Sequence, residues 1–315
     1  MRFFDSLNSI PVGFGPTAVT FGKFDGMHVG HRHVLDALLS VARKRALEPA
    51  AITFDRNPLS LLAPERCPEA IASNDQKREL FESTGVGTLV QLPFDPALSS
   101  MTAEEFVRRV LVVALDARVV LVGPGTRFGA GGTGDFALLT RLGADLGFDV
   151  RQLEPRLDDG DGRVSSTRIR ELLAAGDVAE AGRLLGRHPS VRSMVVHGQQ
   201  RGRALGYPTA NLSPQLEGFI PADGVYAGRL TVDGVTMPAA ISIGNNPTFE
   251  GVPERQVEAH VLDEDLDLYD RIVEVEFVEH IRGMAKFDSL DELIAQMGQD
   301  TLDVRGVLAR ANAVG

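Results

Sequence analysis

Two histidines three residues apart, His28 and His31, carry the clearest chemical signal in this sequence. They lie in Gly22-Lys23-Phe24-Asp25-Gly26-Met27-His28-Val29-Gly30-His31, between the apolar run Thr17–Phe21 and the start of a helical pattern. At that spacing both rings reach one side of a helix start. Free N–H groups and the positive end of the helix dipole attract anions there. Gly26 and Gly30 keep the backbone bare, so a large ligand can approach. Two imidazoles in this setting suit phosphate oxygens, as donors to charge that develops at phosphorus. An incidental surface pair and a metal site compete with that view; for a metal, only Asp25 offers a nearby carboxylate. A second anion cradle is Val164-Ser165-Ser166-Thr167-Arg168-Ile169-Arg170-Glu171, with hydroxyls at an expected helix start and two arginines in its first turn. Its competitor is an ordinary N-cap with solvated arginines.

The second half offers a different set. Gly198, Gly202 and Gly206 make a pliable loop able to wrap a phosphate tail, and it runs into Tyr207-Pro208-Thr209-Ala210-Asn211. Thr209 and Asn211 are two apart, so on an extended segment they share a side. Their neutral oxygens suit Mg²⁺, which leans on substrate phosphates. A plain turn followed by a strand remains the alternative. In Val257-Glu258-Ala259-His260-Val261 the alternation puts Glu258 and His260 on one face. A carboxylate held on a strand can serve as general base toward a primary hydroxyl; a solvated strand face is the other reading. Gly244-Asn245-Asn246-Pro247-Thr248-Phe249 is a turn that could bring Phe249 to a planar ligand. The glycine-rich stretch from Gly123 to Gly132 lacks the Gly-Lys-Ser/Thr of a P-loop and misses G-x-G-x-x-G by one residue. It reads equally as a nucleotide contact or a surface turn.

The elements that must position these residues alternate. Strand-like runs at 17–21, 50–54, 88–92, 119–122 and about 148–153 are separated by helical patterns at 29–45, 75–84, 102–115 and 135–147. Such βαβα order means a parallel sheet covered on both faces, with ligands at the carboxyl ends of its strands. After about residue 187 the period changes to two, in runs at 191–197, 225–232, 236–243, 256–262 and 271–278, with an Asp233-Gly234 hairpin signal and one closing helix over 289–311. The expected fold is therefore α/β followed by β: a doubly wound, Rossmann-like domain over 1–186, then a small antiparallel domain over 187–315.

Composition sets limits. The chain has 315 residues, a net charge of −11 and one cysteine, Cys67, which excludes an intrachain disulfide and a Cys-rich zinc module. Residues 1–186 carry 21 Lys+Arg against 24 Asp+Glu (net −3), and residues 187–315 carry 11 against 19 (net −8). That balance argues against broad nucleic-acid or anionic-membrane binding. No apolar run reaches the roughly 18–20 residues of a membrane span, and the N-terminus lacks the apolar core of a secretion signal, so a cytoplasmic location is expected.

The motifs around His28 and Ser166 resemble the nucleotidylyltransferase superfamily. More narrowly, the chain resembles the bacterial bifunctional riboflavin kinase/FAD synthetases. Thr53-Phe54-Asp55, Asp75-Gln76-Lys77, Leu92-Pro93-Phe94-Asp95 and Ala103-Glu104-Glu105-Phe106-Val107 match in the first half. Leu205–Asn211, Gly224-Val225-Tyr226, Gly244–Phe249 and Val257–His260 match in the second. The resemblance implies a nucleotidylyltransferase domain and a six-stranded antiparallel β-barrel with a C-terminal helix. It implies two reactions: riboflavin to FMN with Mg-ATP, and FMN to FAD with release of pyrophosphate. His28 and His31 would hold the ATP phosphates within the loop of Gly22, Phe24, Asp25, Gly26 and Gly30, while Ser165, Ser166, Thr167, Arg168 and Arg170 grip the triphosphate. Gly198, Gly202, Gly206, Pro208, Thr209 and Asn211 would hold the second ATP, Thr209 and Asn211 its Mg²⁺, and Glu258 would activate the riboflavin 5′-hydroxyl. Asn57, Gly125, Phe128, Asn246 and Phe249 would face flavin. The partners implied are riboflavin, FMN and ATP, with no nucleic acid, membrane or tightly bound redox cofactor; self-association is left open. Two loops depart from the family pattern. Gly125-Thr126 stands where an acidic or amide residue and then an aromatic are usual, and Arg56-Asn57 where Pro-His is usual. The alternatives are thus a riboflavin kinase with a weak or repurposed first domain, and a flavin-sensing regulator.

Overall fold

The computed structural model describes residues 1–154, 164–197, 206–244, 255–264 and 266–314. Six strands, Arg2–Phe4 (β1), Thr17–Phe21 (β2), Glu48–Phe54 (β3), Thr88–Leu92 (β4), Ala117–Val122 (β5) and Asp149–Gln152 (β6), form a sheet in the order β1-β4-β3-β2-β5-β6. Every pairing is parallel. β2 is buried along its whole length, as a central parallel strand must be. Its side chains divide by parity. Val19, Phe21, Ala50, Ile52, Val90, Leu92 and Val120 enter one core, and Ala18, Ala51, Leu89, Val119 and Leu121 enter the other. The helix Val29–Arg45 covers the second core with Leu35, Leu38, Val41 and Ala42. The π-helix Val107–Ala114 and the helix Phe136–Leu146 cover the first.

The order has a functional consequence. β2 pairs with β3 on one side and β5 on the other. The chain therefore reverses direction across the sheet at β2/β5, and the crevice beyond those two carboxyl ends is where such folds bind ligands. The segment 22–28 follows β2 and the segment 123–135 follows β5.

Thr102 and Glu105 form a capping box, but the helix expected over 102–115 continues as π rather than α from Val107. The helix Asn74–Glu82, which starts one residue before the 75–84 expected from sequence, is capped by Ser73: its hydroxyl accepts from Gln76 N–H and its backbone N–H donates to Gln76 Oε1. β1 was not expected at all: three residues are too few to show a period.

By compactness the chain divides between Ser165 and Ser166. The helices Ser166–Ala174 and Val178–Leu185 therefore fall in the second unit, ahead of the change of period near residue 187. The Leu173 carbonyl of the first of these accepts from Ala222 N–H at 2.9 Å, just ahead of the barrel strand that starts at Gly224, and after the second helix the Pro189 carbonyl accepts from Phe277 N–H at 2.9 Å. That barrel consists of Ser190–Val196 (β7), Ala210–Leu212 (β8), Gly224–Val232 (β9), Val235–Gly244 (β10), Gln256–Val261 (β11) and Ile272–Arg282 (β12). It closes antiparallel in the order β10-β11-β8-β7-β12-β9. Asp233 and Gly234 both take positive φ, as a tight hairpin turn requires. The C-terminal helix Leu290–Val314 packs Val304, Val307 and Leu308 onto Ala227, Leu262 and Val278 of the barrel wall.

Candidate functional site

In the first unit, the loop after β2 stores strain. Phe24 (φ 47°), Gly26 (φ 75°) and Met27 (φ 42°) all lie in the left-handed region. That conformation costs a non-glycine residue energy and persists only where its surroundings impose it. Here Phe24 and Met27 are buried, and Phe24 packs edge-on against Phe81 at 5.1 Å. Asp25 Oδ1 accepts from Ile71 N–H at 2.9 Å, so this carboxylate braces the loop. A Cβ on Gly26 would come within 2.9 Å of the Ile71 side chain.

The loop delivers His28 to the N-cap of the helix Val29–Arg45, where its Nδ1 accepts from His31 N–H at 3.2 Å. His28 is only 6 % exposed. The two rings stack with centroids 3.6 Å apart and planes 14° from parallel. Burial, and secondarily the neighbouring His28, push the His31 pKa well below the ordinary histidine value. Its ring is therefore neutral at pH 7, and among the described residues its buried Nδ1 has no hydrogen-bond partner. Gly30 leaves room for this stack: a Cβ there would lie 3.1 Å from the His28 ring. Gly22 N–H is used by the Ile52 carbonyl at 3.0 Å, which aligns the end of β2 with β3.

The remaining first-unit candidates occupy varied places. Asn57 Oδ1 accepts from Leu59 N–H at 3.1 Å and shapes the turn after β3. Gly125 is exposed, at φ 70°, with open space around a would-be Cβ. Phe128 is buried, with its ring 5.6 Å from Phe21 and 5.9 Å from Phe106. It anchors the glycine-rich loop in the core. Ser165 ends the first unit, while Ser166, Thr167, Arg168 and Arg170 open the first helix of the second. Arg168 reaches Glu171 at 3.5 Å. Lys77, of the Asp75-Gln76-Lys77 motif, is a buried lysine whose Nζ donates to the Phe54 carbonyl at 3.1 Å and to Asn74 Oδ1 at 3.4 Å. Sequence alone gives a helical lysine no mark of burial.

In the second unit the strands set the chemistry. Antiparallel pairing of β11 with β8 places Glu258 directly across from Asn211, and Ala259 across from Ala210. Asn211 Nδ2 donates to the Thr209 carbonyl at 3.4 Å, which turns the amide oxygen toward the other side. His260 Nδ1 lies 2.8 Å from the Pro208 carbonyl, and Tyr207 packs edge-on against the His260 ring at 5.3 Å. The Pro-Thr-Ala-Asn segment is thus pinned to β11 at both ends. Burial raises the Glu258 pKa, moving this carboxylate toward the range in which a base works near neutrality.

Two clefts meet here. One, about 730 Å³ with its mouth, is lined by Glu258, His260 and Ser242 on the barrel side and by Met284, Phe287 and Met297 opposite. The other, about 590 Å³, runs along Pro208, Asn211, Glu264 and Tyr269. Thr209 lines both. Among the described residues no group of three or more His, Cys, Asp or Glu is placed to hold a metal ion. The Thr209 hydroxyl and Asn211 amide oxygen are hard neutral donors of the kind Mg²⁺ accepts beside substrate phosphates, so the residues present fit that ion. Gly206 is described, at φ 85°; Gly198, Gly202, Asn246 and Phe249 lie outside the described residues.

An α/β unit with histidines beside its switch point, followed by a closed six-stranded barrel with a strand glutamate, defines a two-domain nucleotide-dependent transferase. The family model for FAD synthetase matches residues 14–168, and that for riboflavin kinase matches residues 185–308. The chain belongs to the bifunctional riboflavin kinase/FMN adenylyltransferase family. The relative so named from Escherichia coli (strain K12) is 38% identical over 91% of both chains, and that from Pseudomonas fluorescens 36% over 92% of both. A crystal structure of a Streptococcus pneumoniae protein called a macrolide-efflux protein has a TM-score of 0.87 and 33% identity, covering 96% of this chain and 98% of that one. Among the described residues of this chain, no helix is long and apolar enough to cross a membrane.

Proposed function

We propose that the second unit phosphorylates riboflavin to FMN and that the first adenylylates FMN to FAD, each with ATP. The observation that carries the kinase assignment is that Thr209 lines both clefts, with Glu258 in one and Asn211, its cross-strand partner, in the other. Phosphoryl transfer needs acceptor and donor held in line, with little covalent work for the protein. The apolar cleft suits a planar ring system, and the cleft along Asn211 suits a nucleotide. The riboflavin 5′-oxygen forms a bond to the γ-phosphorus, the bond from that phosphorus to the bridging oxygen breaks, ADP leaves, and Glu258 takes the hydroxyl proton. Mg²⁺, held by Thr209, Asn211 and the phosphates, would neutralise charge on the transferred group.

In the first unit an FMN phosphate oxygen attacks the α-phosphorus of ATP and pyrophosphate leaves. His28 and His31 line the helix start where that anion sits, and the neutral His31 ring supplies an N–H donor to charge that grows in the transition state. Matching family models over each half favour two activities over a kinase with a repurposed first domain. Both reactions consume ATP, which fits a cytoplasmic setting and small-molecule partners.

Purified protein with riboflavin and Mg-ATP should accumulate FMN and then FAD, resolved by chromatography over time. Glu258→Gln should stop FMN formation while added FMN is still converted to FAD. Undiminished FMN formation by that variant would remove Glu258 from the mechanism.

A further inference from the structure

Among the described residues, three ion pairs join the C-terminal helix Leu290–Val314 to the barrel. Arg305–Asp263 and Arg310–Glu279 are exposed on both sides, whereas Arg282–Asp300 is not: the Asp300 side chain is 7 % exposed. Arg282 ends β12. Its Nε donates to Asp300 Oδ1 at 2.8 Å and its Nη2 to Asp300 Oδ2 at 2.6 Å, a two-pronged fork. Gln296 Nε2 adds a third bond to Asp300 at 2.9 Å. The same guanidinium donates Nη1 to the Gly283 carbonyl at 3.0 Å and sits 5.8 Å from the centre of the Phe287 ring. One side chain thus gathers the end of β12, the 283–287 connection and the third turn of the helix.

These parts share a location. Arg282, Met284, Phe287, Met297 and Asp300 all line the cleft that holds Glu258 on its opposite wall. The helix does not need the pair to stay docked, because Val304, Val307 and Leu308 already pack it onto the barrel. Nor is a buried ion pair an efficient source of stability, since an apolar pair of similar volume commonly does as well. What a fork adds is direction: two parallel hydrogen bonds fix distance and orientation together.

We propose that Arg282 and Asp300 are positioning residues for the flavin. Their fork sets the gap between the helix-side wall and the barrel face, and so the depth at which the ring system rests and the reach of its 5′-hydroxyl to Glu258. This rests on the kinase assignment above. A wall held one ångström out of place costs orientation before it costs fold.

The test compares riboflavin and Mg-ATP kinetics of the full chain with those of Arg282→Lys, which keeps the charge and loses the fork, and of the double variant Arg282→Met/Asp300→Leu, which replaces the pair by apolar packing. In both, KM for riboflavin should rise about tenfold or more, while KM for Mg-ATP stays within about twofold and kcat falls less than KM rises. Arg282→Lys should lie between the unaltered protein and the double variant. Thermal unfolding reports whether the second unit of each chain is folded, conversion of added FMN to FAD reports that the first unit is intact, and the double variant is the one expected to keep its melting temperature. Unmoved riboflavin KM in either folded variant overturns the proposal, as do equal rises in KM for both substrates. If the unaltered protein forms no FMN, the kinase assignment falls and takes this proposal with it; if it forms FMN and only the KM pattern fails, the proposal alone is lost.

Discussion

Glu258 and Asn211 face one another across the β11–β8 pair, so the expected base and an expected Mg-ATP ligand are neighbours on one rigid ladder. Directly opposed residues lie about 4.5–5.5 Å apart at Cβ, close enough for one phosphoryl group to meet both. Burial raises the Glu258 pKa above the ordinary carboxylate value. A base must be ionised, so kcat/KM for riboflavin should climb with pH along a limb displaced upward from about 4.3. A pH profile already flat at that value would count against Glu258 as the base.

The same shift predicts stability. A carboxyl whose folded pKa is raised favours folding below its unfolded pKa, and that contribution is lost as pH rises through the folded value. Above the folded value, the ionised, buried Glu258 is therefore a cost. Glu258→Gln should keep or raise the melting temperature at pH 7 while abolishing FMN formation, the exchange of stability for function expected at active sites. A variant that is both inactive and several degrees less stable would mean that the glutamate holds the barrel together.

His31 works in the opposite sense. Its lowered folded pKa contributes stability above the unfolded value near 6.5, lost as pH falls through the folded one. Between pH 7 and pH 5 the first unit should lose stability, and His31→Gln should flatten that dependence. The pair His28→Ala/His31→Ala should abolish conversion of FMN to FAD while riboflavin is still phosphorylated. Differential melting across that pH range checks the first expectation, and product analysis the second.

Period and punctuation made the large elements legible. The residues of β2, β3, β4 and β5 read as strands because both faces are apolar, and the crevice followed from their order. Glu258 was legible because Val257, Ala259 and Val261 face inward around it. What stayed hidden is what sequence separation hides. The Arg282–Asp300 fork joins residues 18 apart on a strand end and a helix, with no spacing that announces it. β8 is three residues long, too short to show a period, although it carries Asn211. Phe128 lies in a glycine-rich stretch that reads equally as a nucleotide contact or a surface turn, and no period marks that its ring packs in the core with Phe21 and Phe106.

Two glycines at similar φ should respond differently to alanine. Gly26 (φ 75°) and Gly125 (φ 70°) both occupy the left-handed region, but only at Gly26 would a Cβ meet Ile71, at 2.9 Å. Gly125→Ala should cost about 1 kcal/mol, the backbone penalty alone. Gly26→Ala adds a steric clash of about 1–3 kcal/mol and pushes on a segment already strained at Phe24 and Met27. Denaturant unfolding should separate the two, with FAD synthesis lost in Gly26→Ala beyond its effect on folding. Equal unfolding energies would show that the loop yields freely.

Lys77 offers the last test, because its burial is unusual for an ammonium group. Burial lowers its pKa, while the charges of Asp25 and Asp55 oppose that shift. Each aspartate braces a loop at the strand ends: Asp25 accepts from Ile71 N–H at 2.9 Å and Asp55 from Phe94 N–H at 2.8 Å. Lys77→Met fills the same volume but leaves the Phe54 carbonyl without its 3.1 Å donor and the two carboxylates without their shared cation. An unsatisfied buried acceptor costs about 1–3 kcal/mol, so unfolding of the first unit should shift by at least that amount. Because the loop that Asp25 braces leads to His28, FMN adenylylation should fall with it, whereas riboflavin phosphorylation should be unaffected. Lys77→Arg restores charge but not shape, and should recover stability only in part. Full activity and stability in Lys77→Met would show that the strand ends are held without the buried cation.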